Sequence, residues 1–215
     1  MKHTACRKAI ALALILVMLA GILPVTASAA GNPRFDDVRP ADWFYSSVET
    51  VCAKGLMTGT SARTFRPALP VTRGMLVTIL YRLENYPKTA SGSPFADVAA
   101  GSYYEKAIRW AASNKIVTGY DAAHFGPDDA LTREQLAAIL YRYARDKRYD
   151  TEKTADLTGF ADYEQIYGYA AEALSWANAE GLVSGRSETA LSPQGQATRA
   201  EVAAILHRFA ENVAK

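Results

Sequence analysis

Apolar residues recur at helical spacing in three stretches, each opened by a Thr-Arg pair: Thr72-Arg73, Thr132-Arg133 and Thr198-Arg199. The first run carries Leu76, Ile79, Leu80 and Leu83, the second Leu136, Ile139 and Leu140, the third Val202, Ile205, Leu206 and Phe209. Spacing of i, i+3, i+4 marks one buried helix face. Thr is a good N-cap, and Gln135 and Glu201 stand three residues on. That is a capping box, in which two unpaired backbone donors are satisfied reciprocally, for about 1 kcal/mol per helix. Gly74 and Met75 break the box in the first copy, which predicts a loosely started helix there.

A second helical pattern precedes each of these. Its start is aromatic (Trp43-Phe44-Tyr45, Tyr103-Tyr104, Tyr169), and Trp43, Tyr103 and Tyr169 recur at one position. Tyr104, Ala107, Ile108 and Ala111 form the expected buried face of one copy, and Ala170, Ala173, Leu174 and Ala177 that of another. Gly59, Gly119 and Gly185 follow, at places that suit a turn with positive φ. Pro67, Pro127 and Pro193 then deliver the chain to the capped helix.

The pattern is therefore a repeat. A shift of 60 residues lays Phe35, Asp37, Gly59, Phe65, Pro67, Thr72-Arg73 and Leu80-Tyr81-Arg82 on Phe95, Asp97, Gly119, Phe125, Pro127, Thr132-Arg133 and Leu140-Tyr141-Arg142. A further shift of 66 brings in Gly185, Pro193 and Thr198-Arg199, with a one-residue insertion between Asp162 and Tyr169. Polar connectors at 84–94 and 150–159 separate the copies, which run over residues 35–86, 95–148 and 160–212. Two amphipathic helices of one copy cannot bury both faces alone. The expectation is one all-α unit of three interdependent helix-loop-helix repeats.

Composition adds a compartment. Residues 1–29 read as a secretory leader, with Lys2, Arg7 and Lys8 before an apolar run from Ile10 to Leu23 and Ala27-Ser28-Ala29 at the cleavage site. That run is short for a membrane span, and no later stretch is apolar enough for one. The formal charge of +2 then becomes −1, with 21 basic residues against 22 acidic, which is no footprint for nucleic acid or anionic lipid. Cys52 remains as the one thiol, set among Val48, Val51 and Leu56 as a small core residue. His124 and His207 stand apart without partners at metal-ligand spacing, and no nucleophile elbow, phosphate loop or dinucleotide fingerprint occurs. Neither a metal, a cofactor nor catalysis is expected.

Capping does not explain the arginines. A cation in the first helical turn opposes the helix dipole, and three such placements suggest an anionic partner for Arg73, Arg133 and Arg199. Free N–H groups and a guanidinium fork together would hold a carboxylate. The alternative is a bond to a neighbouring repeat's Asp or to a C-terminal carbonyl. On the ligand reading, Arg133→Ala is expected to weaken wall binding more than tenfold with little change in melting temperature, and loss of folding would favour the alternative.

The order F-x-D, aromatic cluster, G-[LI]-x-x-G, F-x-P, T-R-x-[EQ] resembles the S-layer homology family, over residues 35–210. The family's Thr-Arg-Ala-Glu stretch is complete only at Thr198-Arg199-Ala200-Glu201. The resemblance implies a spindle of three repeats on a pseudo-threefold axis. It also implies non-covalent attachment at the cell wall or cell surface. The implied ligand is a secondary cell-wall polysaccharide ending in pyruvylated N-acetylmannosamine, held in grooves between repeats. A ketal carboxylate suits an Arg fork, and sugar C–H faces suit Trp43, Tyr103 and Tyr169, for which core packing is the plainer role. By the same resemblance Asp37, Asp97, Asp162, Gly59, Gly119 and Gly185 become groove candidates. Asp could orient an Arg, bond a sugar hydroxyl or simply cap the first helix, and Gly could serve the turn alone. Tyr163 and Leu191 replace the Val and Phe of the other copies, so inequivalent grooves are expected. The second reading is a structural module that self-associates in a surface layer or docks on peptidoglycan or protein.

Overall fold

Helices form where the periodicity places them. A computed structural model of the chain describes residues 34–89, 92 and 94–214, and the expected leader at 1–29 lies outside these. Among the described residues there are six α-helices and no strand: α1 (Tyr45–Ala53), α2 (Arg73–Leu83), α3 (Glu105–Ser113), α4 (Arg133–Asp146), α5 (Ala171–Ala179) and α6 (Arg199–Asn212). Two 3₁₀ turns, Tyr163–Gln165 and Gly168–Ala170, precede α5 and absorb the insertion of the third copy. No described helix is long and apolar enough to cross a membrane.

Each copy's second helix packs on the first helix of the next. The pairs are α2 with α3, α4 with α5, and α6 back on α1, so the ends of the described region close a ring. At its centre three residues exchange backbone hydrogen bonds in a cycle. The N–H of Val71 donates to Ala197 at 2.9 Å, that of Leu131 to Val71 at 2.9 Å, and that of Ala197 to Leu131 at 2.8 Å. No copy can make this triangle alone, which is the physical content of an all-α bundle with pseudo-threefold symmetry. Leu76, Leu80, Leu136, Leu140, Val202 and Leu206 are fully or nearly fully buried around it, as are the faces predicted for the first helices of the second and third copies. Trp110 and Trp176 also lie in this core, and so does Cys52, whose thiol pKa burial pushes up.

Both capping boxes expected at Thr132 and Thr198 are complete. The first copy differs from expectation. Its helix begins at Arg73 like the others, and Thr72 Oγ1 accepts the Met75 N–H at 3.2 Å. Gly74 has a packing reason, since a Cβ there would sit 2.9 Å from the Pro127 carbonyl and 3.0 Å from the Tyr104 ring.

Positive φ also falls elsewhere than expected. The left-handed residue that ends each first helix is Gly55, Lys115 or Gly181, with φ of 68°, 59° and 67°. Gly59, Gly119 and Gly185 do not have positive φ and are glycine through crowding. A Cβ on Gly119 would lie 2.4 Å from the Asp121 carbonyl, 2.5 Å from that of His124 and 2.6 Å from the Phe95 ring.

Candidate functional site

The first turn of each second helix is already occupied by protein. The Arg73 and Gly74 N–H groups donate to the Asp129 and Pro127 carbonyls, at 3.0 and 2.8 Å. Arg133 and Glu134 donate to Gly195 and Pro193, and Arg199 and Ala200 to Leu69 and Pro67. Two orphan donors of each helix start are thus satisfied by the next copy's loop, and the third by the helix's own Thr cap. No free N–H set remains there for an anion, which corrects that part of the expected site.

The three arginines are buried, at 6%, 4% and 8% exposure for Arg73, Arg133 and Arg199. Their main partners are backbone carbonyls of the next copy. Arg73 Nε donates to Phe125 at 2.9 Å and Nη2 to Thr118 at 3.1 Å. Arg199 repeats this with Phe65 at 2.7 Å and Thr58 at 2.6 Å, and Arg133 with Leu191 at 3.1 Å and with Ser184. Desolvation lowers all three pKa values from the ordinary arginine value, yet a guanidinium stays charged in protein. Carbonyl dipoles, with Glu201 added at Arg133, are what offset the unfavourable helix end. Nη1 of Arg73 and of Arg199 makes no hydrogen bond among the described residues.

Each arginine floors a cleft, of about 380 Å³ at Arg73, 350 Å³ at Arg133 and 220 Å³ at Arg199. The clefts are built alike, and each takes a piece from all three copies. The Arg73 cleft adds Gly119 from the second copy and Tyr169 from the third. The Arg133 cleft adds Gly185 and Trp43, and the Arg199 cleft Gly59 and Tyr103. The aromatic rims stand out in solvent, at 64% exposure for Trp43, 59% for Tyr103 and 51% for Tyr169. Core packing is therefore not their role. Tyr169 is steadied by its hydroxyl, which donates to Glu134 at 2.7 Å, and by stacking on Tyr167. Burial and that bond push its pKa up.

The aspartates are elsewhere. Asp37, Asp97 and Asp162 line none of these clefts, and no side chain caps a first helix. Each instead accepts two consecutive N–H groups of the loop that leads to the second helix: Phe65 and Arg66, Phe125 and Gly126, Leu191 and Ser192. The second of each pair has positive φ, so the carboxylate fixes a strained bend. Burial raises the Asp97 and Asp162 pKa, but the backbone N–H bonds outweigh it and hold both below the ordinary value.

Sequence reasoning missed a second arginine in every cleft: Arg142, Arg208 and Arg82, one helical turn beyond Ala138, Ala204 and Thr78 on the second helices. The signal was the superposed Leu-Tyr-Arg of the first two copies, matched by Leu206-His207-Arg208 in the third. Arg142 makes no hydrogen bond or ion pair among the described residues, whereas Arg82 and Arg208 donate to carbonyls after the first helix.

Charged clefts repeated on a ring of helices define a binding module. A model of the S-layer homology domain matches residues 34–74, 94–137 and 159–203, and the chain belongs to that family. It is similar to a surface-layer 125 kDa protein of Lysinibacillus sphaericus, 27% identical over 99% of this chain and 18% of that protein. An S-layer protein of Bacillus thuringiensis subsp. finitimus is 26% identical over 100% of this chain and 26% of its own length. An amylopullulanase of Thermoanaerobacterium thermosulfurigenes is 29% identical over 84% of this chain and 10% of the enzyme. The chain thus spans a tenth to about a quarter of these relatives. Its family and its surface-layer relatives place it among modules that hold proteins at the cell surface.

Proposed function

We propose that the chain is a non-catalytic anchor that grips an acidic, pyruvylated secondary cell-wall polysaccharide in its inter-repeat clefts. The observation that carries this is the joining, in one cleft, of a buried arginine with an unused Nη1 and an exposed ring. A carboxylate on the ketal takes the unused Nη1 of the guanidinium, and the ring covers the sugar's C–H face. Arg142 and Arg82 supply a second cation for the acid or a neighbouring residue of the glycan.

The rival reading, a structural module on peptidoglycan or protein, draws on the carbonyl bonds that occupy most of each guanidinium. Pull-down on purified sacculi separates the two. Binding is expected to be lost when the polysaccharide is stripped and to fall sharply when only the ketal pyruvate is removed. Retention through both treatments would overturn the proposal in favour of peptidoglycan or a protein partner.

A further inference from the structure

The clefts are built alike but differ in whether the guanidinium at the floor is already engaged. In the Arg133 cleft, Glu201 Oε1 accepts from Arg133 Nη1 at 3.3 Å and from Arg186 Nε at 3.1 Å. Its Oε2 accepts from Arg186 Nη2 at 3.1 Å and from the Thr198 N–H at 2.8 Å. Four donors pin this carboxylate over the guanidinium. The same helical position holds Gln135, neutral, in the Arg73 cleft and Met75, apolar, in the Arg199 cleft. Glu134 also lines the Arg73 cleft, but its oxygens accept from Tyr169 and the Tyr167 N–H, and no ion pair joins it to Arg73 or Arg142.

A second difference points the same way. Arg73 lies 4.6 Å from the Phe125 ring and 4.5 Å from that of Tyr120, and Arg199 lies 4.3 Å from Phe65. A ring face attracts the cation without using any N–H, so Nη1 is kept for an outside acceptor. Arg133 has Leu191 in place of the phenylalanine and Arg186 in place of Tyr120, and its Nη1 goes to Glu201.

We infer that Glu201 is a built-in occupant of the Arg133 cleft, standing where the ligand acid sits in the other two. The ligand acid then pairs with the free Nη1 in the clefts of Arg73 and Arg199, and not with Arg133, whose Nη1 Glu201 already holds. A second carboxylate beside Arg133 would meet Glu201 within a few ångströms, a like-charge contact that disfavours binding. This inference rests on the anchoring function proposed above.

Glu201→Gln tests it, because Gln135 already serves the same capping box in the second copy and the fold is kept. Titration calorimetry with a soluble pyruvate-ketal N-acetylmannosamine fragment is expected to give one more equivalent bound by E201Q than by the wild type. The gain is absent with the depyruvylated fragment. On the wild type, the same titration followed by NMR is expected to shift the Gly59 and Gly119 amides and leave Gly185 in place. Equal stoichiometry in the two proteins, or movement of Gly185 matching the others, overturns the inference and leaves the anchoring function standing. Absence of acidic-fragment binding to either protein overturns the anchoring function itself.

Discussion

Asp97 and Arg73 hold opposite sides of one residue without touching each other. The Phe125 N–H donates to Asp97 Oδ1 at 2.9 Å, while the Phe125 carbonyl accepts from Arg73 Nε at 2.9 Å. Asp37 and Arg199 are related in the same way through Phe65, and Asp162 and Arg133 through Leu191. The aspartates act on the clefts at one remove, by fixing the loop whose carbonyl seats the guanidinium.

Asp97→Asn is therefore expected to cost stability and to do so in a pH-dependent way. The amide retains one acceptor, so one loop N–H loses its partner, at about 1 kcal/mol once solvent screening at this half-buried site is allowed for. The folded-state pKa of Asp97 and Asp162 lies below the ordinary value. Their stabilisation is thus fully present above the unfolded value near 3.9 and is lost as pH falls through the lower folded one. Urea midpoints should differ between wild type and variant at pH 7 and converge toward pH 2. A gap that persists undiminished in acid would show that the carboxylate charge is not what holds the loop.

Arg199→Ala is expected to unseat the fold as well as the ligand. The variant leaves the Phe65 and Thr58 carbonyls facing a void, for about 3 kcal/mol, which in a chain of this size lowers Tm by roughly 6–12 °C. An arginine held by ligand alone would be removable at little cost to stability, and the carbonyl bonds exclude that. Arg199→Lys should recover part of the stability, since one ammonium reaches one carbonyl where the fork reaches two. Differential scanning calorimetry decides, with equal Tm for Ala and wild type as the contrary result.

Glycine substitutions distinguish crowding from backbone conformation. Gly119→Ala drives a methyl into two carbonyls and a ring, and is expected to destabilise by about 2 kcal/mol or more. Gly168 has nothing within 4 Å of its Cβ position and no positive φ, so Gly168→Ala should be neutral or stabilising by up to about 1 kcal/mol. Chemical denaturation of the two variants side by side measures the contrast.

These contacts explain which features were legible in the sequence. Helix faces, capping boxes and the repeat itself are relations within one copy, and periodicity reads them directly. The partners of the arginines lie in another copy; Arg199 reaches Phe65 and Thr58, which precede it by 134 and 141 positions. Nothing in the local pattern distinguishes a guanidinium waiting for a ligand from one seated on distant carbonyls. Of the three roles open to Asp37, Asp97 and Asp162 (orienting an Arg, bonding a sugar hydroxyl, capping the first helix), the loop contacts correspond to the first, at one remove through the Phe65, Phe125 and Leu191 carbonyls. The glycines were recognised as obligatory for the wrong cause, since a missing Cβ matters through neighbours that only the packed ring brings close. Trp43, Tyr103 and Tyr169 are the converse case: their recurrence alone marked the position, and their exposure separates them from Trp110 and Trp176.

Tyr103→Ala and Trp43→Ala should part company. Both rings are more than half exposed, so each truncation is expected to shift stability by no more than about 0.5 kcal/mol. Tyr103 rims the Arg199 cleft, where no carboxylate lines the wall. Losing its ring should weaken binding of the acidic fragment to that cleft about tenfold, near 1.4 kcal/mol, and Tyr103→Phe should keep most of it because the ring face remains. Trp43 rims the cleft whose guanidinium Glu201 already engages. Its removal is expected to leave acidic-fragment affinity unchanged while loosening the grip on intact sacculi, where uncharged sugar reaches that cleft. Calorimetry with the fragment and sacculus pull-down, run on both variants, read these outcomes separately. Equal loss of fragment binding in the two variants would mean that the three rims serve one kind of ligand, whatever the charge beneath them.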